Sequence, residues 1–169
     1  MFFTILPLKG IQWDRQSILL GEKKIDVEAK LGPPQAIHKH SYYYFESELR
    51  FDFSPKGELE CIEFLGGMQG KIQPIIFGVQ AFQKEADDLY HILKEKNVGD
   101  IVDTEDGYSY AFPNIGIGVY REQIPGNLSE FIRDVQESGE DIMENPNIKE
   151  EQLTAWHWAT IAVALQNYW

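Results

Sequence analysis

QSILLGEKKI at residues 16–25 and QPIIFGVQAF at residues 73–82 follow one arrangement, 57 residues apart. Each runs Gln, one residue, Ile, two apolar positions, Gly, three residues and then a large apolar residue. At that offset Gln16/Gln73, Ile18/Ile75, Gly21/Gly78, Glu28/Glu85 and Ala29/Ala86 are identical. The order of elements after each phrase decides the fold class. After Gly21, the i,i+4 pairs Ile25/Ala29 and Val27/Leu31 predict a short helix over residues 23–30. Gly32-Pro33-Pro34 stops it, because proline donates no backbone hydrogen bond and disfavours a helical predecessor. Strands are then expected over residues 37–45, 49–53 and 59–64, the last two joined by the Ser54-Pro55-Lys56-Gly57 turn. Alternation breaks between Cys61 and Ile62, which points to a bulge or to burial on both faces.

The second phrase is followed by the same grammar. Phe82, Ala86, Leu89, Tyr90 and Leu93 recur at helical spacing and predict an amphipathic helix. Strands over 100–103, 108–112 and 115–121 follow, separated by the TEDG and Pro113-Asn114 turns. Two tandem α+β units are therefore expected, residues 11–66 and 73–122. Residues 2–6 read as a strand ahead of the first unit, stopped by Pro7 and the Lys9-Gly10 turn. Beyond the units, Asn127 is a candidate N-cap with Glu130 three residues on. Leu128, Phe131, Ile132, Val135 and Ile142 mark the buried face of the helix it would start. ENPN at 144–147 breaks that helix, and residues 148–155 read as one more short helix. Residues 160–169 alternate Ile161, Val163, Leu165 and read as a final strand, with a helix open as the alternative because Ala159, Ala162 and Ala164 favour one. The expected fold is α+β in a single domain. Two tandem helix–strand units form an antiparallel sheet with helices on one face, and a C-terminal helix and strand follow in residues 127–169.

Composition bounds function. The chain has 169 residues, 43% of them hydrophobic and 13% aromatic, enough for a folded core. No apolar run approaches a membrane span, and Met1-Phe2-Phe3 lacks the basic start of a secretory signal. The one cysteine, Cys61, has no partner for an internal disulfide and sits in an apolar strand. These features are read as those of a cytoplasmic protein. A net charge of −12 repels phosphate backbones and speaks against nucleic-acid binding. Half of that charge lies between Glu130 and Glu151, where eight acids face two bases. A solvated helix face and a docking surface for a basic partner are both open there.

The first unit carries a family pattern. Gly21, Val27, Leu31-Gly32 and Pro34 resemble the G-x-s-x-x-E-V-x-x-x-L-G-x-P signature of the SmpA/OmlA (BamE-like) unit, followed here by FDFSPKGELECIEF. Two such units in tandem also build the β-lactamase inhibitor protein fold. Residues 2–66 fit, and residues 73–122 fit in outline, with Lys84 and Asp88 where the pattern has apolar residues. The chain is also similar to small bacterial proteins that share a P-x-K-G-I stretch, here Pro7 to Ile11. The resemblance implies a sheet whose open face binds another protein.

Chemistry is sparse. His38 and His40 lie two apart in an expected strand, where both rings could point to one side, but the sequence places no third metal ligand beside them. Asp88 and His91 read as a solvated helical pair, and DTEDG at 103–107 lacks the spaced acids of a calcium loop. No nucleophile elbow, phosphate loop or dinucleotide fingerprint is present. No catalytic residue, no metal site and no cofactor are assigned. The candidate partner-binding residues are Glu137, Glu140, Asp141 and Glu144 on the acidic segment, and Tyr42, Tyr44, Tyr108 and Tyr110 on an exposed sheet face. The expected function is a non-enzymatic protein-binding module, of the immunity or antitoxin type, for a basic toxin domain, with no nucleic acid and no membrane among its partners. A small-ligand protein or enzyme using the sheet concavity, or a structural or regulatory partner of another bacterial protein, remain alternatives.

Overall fold

The computed structural model describes residues 1–103, 105–139, 141–142 and 145–169. In chain order its strands and helices begin with β1 (Phe2–Leu6), β2 (Gly10–Trp13), β3 (Gln16–Leu19), α1 (Lys24–Leu31), β4 (Ala36–His38), β5 (Ser41–Tyr44), β6 (Leu49–Phe53) and β7 (Leu59–Phe64). They continue with β8 (Gln73–Ile76), β9 (Val79–Gln80), α2 (Ala86–Asn97), β10 (Val102–Asp103), β11 (Ser109–Phe112) and β12 (Ile117–Tyr120). The last are α3 (Pro125–Glu137), α4 (Pro146–Trp156) and β13 (Thr160–Ala164). The fold is mixed α+β.

The strands fall into two sheets, not one. The larger is antiparallel with the order β10-β11-β12-β13-β7-β6-β5-β4. The smaller has the order β3-β2-β1-β8-β9, and its β1–β8 pair is parallel. Alternation in the larger sheet is realised as burial: Leu49, Phe51 and Phe53 go to the core, while Arg50 and Asp52 face the other way. Phe3, Ile5, Ile11 and Ile18 of the smaller sheet join the same core as Phe51, Ile62, Phe64 and Val163 of the larger. Val27 of α1 and Ala86, Leu89 and Leu93 of α2 belong to it too. The Trp158 indole, 1% exposed, donates from Nε1 to the Ala86 carbonyl at 3.0 Å and so ties the entry of β13 to the start of α2. Buried Asn97 joins the end of α2 to the β11–β12 connection. Its Nδ2 donates to the Asp100 carbonyl and its Oδ1 accepts from the Asn114 amide, both at 2.9 Å.

Several sequence expectations are corrected. The stretch 37–45 is a hairpin, β4 and β5, turning at Lys39, whose φ is 54°. The broken alternation at Cys61 and Ile62 is realised as burial on both faces, and the register slips beside it at Glu60, since Asp52 pairs Cys61 but Phe53 pairs Leu59. The helix expected from Phe82 starts at Ala86. Asn127 is not the cap of α3: Ile124 is, with Pro125 taking the first turn, where its missing N–H costs nothing. Ile142 lies beyond α3, which ends at Glu137. The final strand stops at Ala164.

Gly21 and Gly78 both follow a strand of the smaller sheet and one further residue, with φ of 88° and 82°. After that the two phrases diverge. Gly21 precedes α1 by three residues, whereas Gly78 turns the β8–β9 hairpin and precedes α2 by eight. The helix entries are not equivalent. Glu28 and Ala29 sit inside α1, while Glu85 and Ala86 begin α2, so those two identities are not structural matches.

Candidate functional site

The outer face of the larger sheet follows directly from its register. One row across it reads Tyr43, Arg50, Glu63, Ala162, Gly118, Ala111, on β5, β6, β7, β13, β12 and β11 in turn. The first half of the row is large and polar, the second half small. A parallel row carries Ser41, Asp52, Cys61 and Ala164.

The polar half is a closed network. Arg50 Nη2 lies 2.6 Å from Glu63 Oε2 and 3.1 Å from Asp52 Oδ2. Ser41 Oγ donates to Asp52 Oδ1 at 2.5 Å, Thr160 Oγ1 donates to Glu63 Oε1 at 2.7 Å, and the Tyr168 hydroxyl donates to Asp52 Oδ2 at 3.3 Å. All four carboxylate oxygens are therefore engaged. Burial pulls the Arg50 guanidinium down, and Glu63 and Asp52 outweigh it, so its pKa ends above the ordinary arginine value. Burial pushes the Cys61 thiol up, with Asp52 and Glu63 adding to it, which keeps the sulfur protonated and a poor nucleophile. This set of groups holds shape and charge; it presents no free base.

The small half makes a groove. Cys61, Ala162 and Ala164 form a buried cluster apart from the main core. After β13 the chain turns back, with the Leu165 amide donating to the Glu60 carbonyl, and lays Tyr168 and Trp169 over this face. Their rings meet edge to face at 5.4 Å. A Cβ on Gly118 would stand 2.6 Å from Trp169 Cζ2, so glycine there is what lets the indole approach the sheet. The resulting groove of about 160 Å3 is lined by Arg50, Glu63, Tyr120, Thr160 and Trp169 among others. A further cleft of about 280 Å3 lies between the 65–69 loop and α4, with Glu122, Glu150 and His157 in its wall.

The residues singled out from sequence are scattered. Tyr42 and Tyr44 point into the core, packed edge to face on Phe53 and Phe51. Tyr110 also points inward, against Tyr90 and Trp158. The Tyr108 hydroxyl accepts from Asn127 Nδ2 at 2.6 Å, a tie between the β10–β11 turn region and α3. The strand tyrosines on the outer face are instead Tyr43, one residue from those expected on β5, and Tyr120 on β12. Glu137 is exposed in the last turn of α3 and Asp141 is exposed beyond it. Glu140 and Glu144 lie outside the described residues. His38 ends β4 and His40 stands across the hairpin turn, both exposed, so they do not share a strand. Asp88 pairs with Lys84 at 2.9 Å on the exposed side of α2. Among the described residues no group of three His, Cys, Asp or Glu side chains is placed to hold a metal ion, and no helix is long and apolar enough to cross a membrane.

Sequence reasoning missed Arg50, Glu63 and the aromatic cover of Trp169. The first was available: LRFDF puts Arg50 and Asp52 on the side opposite three large apolar residues. The cover was not, because a non-local turn places it. Compared with protein-family models, with curated proteins and with solved structures, the chain matches none.

Proposed function

We propose that this chain is a non-enzymatic protein-binding module of the immunity or antitoxin type, and that a basic segment of its partner docks on the outer face of the larger sheet. The observation that carries the reading is the composition of that face. Small residues leave a groove beside Glu63 with Tyr120 and Trp169 in its wall, and Tyr43 stands beyond Arg50 at the other end of the same row. Aromatic surface of this kind provides binding energy, and its rings stack well on arginine. The net charge of −12 would speed encounter with a basic partner. Element order alone favours the tandem-unit reading and the SmpA/OmlA-type likeness, while the unequal helix entries after Gly21 and Gly78 and the division into two sheets count against it. Each of α1 and α2 is followed by an edge strand, β4 or β10, and then by strands running toward the centre of the sheet.

The test is site-specific photo-crosslinking in cells of the source organism, with the reactive residue placed at Tyr43, at Tyr120 or at Glu137. The expected result is one basic protein captured from both sheet positions. Capture from position 137 alone would move the docking surface to the acidic segment, and no capture from either sheet position would end this reading.

A further inference from the structure

A second site sits where α2, α4 and the end of β12 meet. Arg121 directly follows β12, and only 8% of its side chain is exposed. Its Nε donates to the Gly107 carbonyl at 3.0 Å and its Nη1 to the Ala155 carbonyl at 3.4 Å. The guanidinium lies over the Trp158 ring, 5.2 Å from the centroid. These contacts fix the group without neutralising it, because carbonyls and ring faces carry only partial charge. A buried cation ordinarily has a close counter-ion. Among the described residues the carboxylate within ion-pair range is that of Asp87, 3.5 Å from Nη1, and its side chain is 61% exposed. These contacts run through Nε and Nη1. The buried charge of Arg121 thus leans on one largely exposed carboxylate among the described residues.

The space beside it is walled largely by aromatic rings. A cleft of about 270 Å3 is lined by Asp87, Tyr90, His91, Tyr110, Arg121 and Trp158. Tyr90 and Tyr110 meet edge to face at 4.9 Å, and Tyr110 and Trp158 at 6.1 Å, so the walls are rigid rings. Small-ligand sites combine such apolar walls with one or two fixed polar groups. We propose that this cleft binds a small aromatic carboxylate, its carboxylate paired with the Nη edge of Arg121 in place of Asp87 and its ring against Tyr90 and Tyr110. Asp87, exposed in the first turn of α2, is then the rim group that a ligand displaces. This inference is independent of docking on the sheet.

Ligand-observed NMR titration of the whole chain with benzoate tests it, with benzamide as the neutral isostere and acetate as the ringless acid. Saturable benzoate binding is expected with a dissociation constant of about 1 mM or tighter. Asp87→Asn, an exposed change that leaves the core intact, should tighten it about twofold to fivefold, the size of a partly exposed ion pair. Benzamide and acetate should bind at least about tenfold more weakly, since each lacks one of the two recognised features. Arg121→Gln should abolish binding; if that variant fails to fold, the Asp87→Asn and benzamide comparisons decide. No saturable binding to either the parent or Asp87→Asn, equal binding of benzamide, or no tightening in Asp87→Asn would each overturn the proposal and leave Arg121 as a staple between Gly107 and Ala155.

Discussion

The two faces of the larger sheet are built by the same strands under opposite rules. Toward the core β6 and β7 present Leu49, Phe51, Phe53, Ile62 and Phe64, none more than 3% exposed. Away from it they present Arg50, Asp52, Cys61 and Glu63, three of them charged and interlocked. The inner face is specified by volume, since every side chain fills space left by its neighbours. The outer face is specified by hydrogen-bond completeness, since each carboxylate oxygen has a donor. The difference says where tolerance lies. A face held by volume punishes truncation, and a face held by pairing punishes leaving one partner alone.

Phe51→Ala should break the inner rule with the largest effect. The ring is fully buried and packs on Tyr44. Loss of about 3–5 kcal/mol is expected in denaturant unfolding, from lost transfer energy plus the cavity left behind. A loss no greater than that of an outer-face variant would mean the core re-closes and the contrast between the faces is false.

Tyr44 sharpens the comparison, because it breaches polar satisfaction on the inner face. Its hydroxyl is buried and finds no partner among the described residues. Burial, then Glu28 and Tyr42, pushes its pKa up to about 12 from 10.0. A tyrosine with a raised folded pKa keeps its proton longer in the native state. Ionisation of this group therefore leaves stability unchanged below pH 10 and lowers it as pH rises from 10 toward 12. That loss is about 2–3 kcal/mol. Tyr44→Phe should remove this component, which the difference between the two proteins' stability–pH curves isolates. At neutral pH the same variant should be more stable by about 1 kcal/mol, because an unpaired buried hydroxyl is removed. Parallel curves above pH 10 would show that the hydroxyl is hydrated.

Arg50→Met applies the outer rule. It keeps the packing stem but leaves Asp52 and Glu63 without their shared cation. A loss of about 1–2 kcal/mol is expected, and adding Glu63→Gln should recover part of it. Additivity of the two changes, measured as a double-mutant cycle, would show that the network is a set of independent pairs.

How much of this was legible depends on how local each signal is. The strands 49–53 and 59–64 were readable because the chemistry alternates residue by residue, and α1 because Gly32-Pro33-Pro34 enforces its stop. The smaller sheet was mostly missed. β2 and β3 are four residues each, and the parallel pairing of β1 with β8 joins residues about 70 apart, which no local pattern encodes. Facing direction failed at SYYY, where three identical side chains carry no alternation, so Tyr42 and Tyr44 could not be told from Tyr43. The aromatic groove depends on Trp169 meeting Gly118 across a chain reversal, and that meeting is visible only in three dimensions.

The smallest stability effect is expected at exposed Glu137. Glu137 is exposed at the end of α3 and Asp141 is exposed beyond it, and with Glu140 and Glu144 they form the acidic part of the sequence from 137 to 144. Replacing Glu137 with glutamine should change stability by no more than about 0.5 kcal/mol, because an exposed charge contributes little to folding. The same variant should slow association with the protein captured by crosslinking and flatten its salt dependence, since long-range attraction acts on encounter rather than on the formed contact. Tyr43→Ala should do the reverse, leaving the association rate near its parent value and speeding dissociation. Stopped-flow or surface-based kinetics at low and high salt separates the two. If the glutamine variant instead speeds dissociation while Tyr43→Ala has no effect, the acidic segment is the contact surface, and the outer sheet face is merely a well-satisfied exterior.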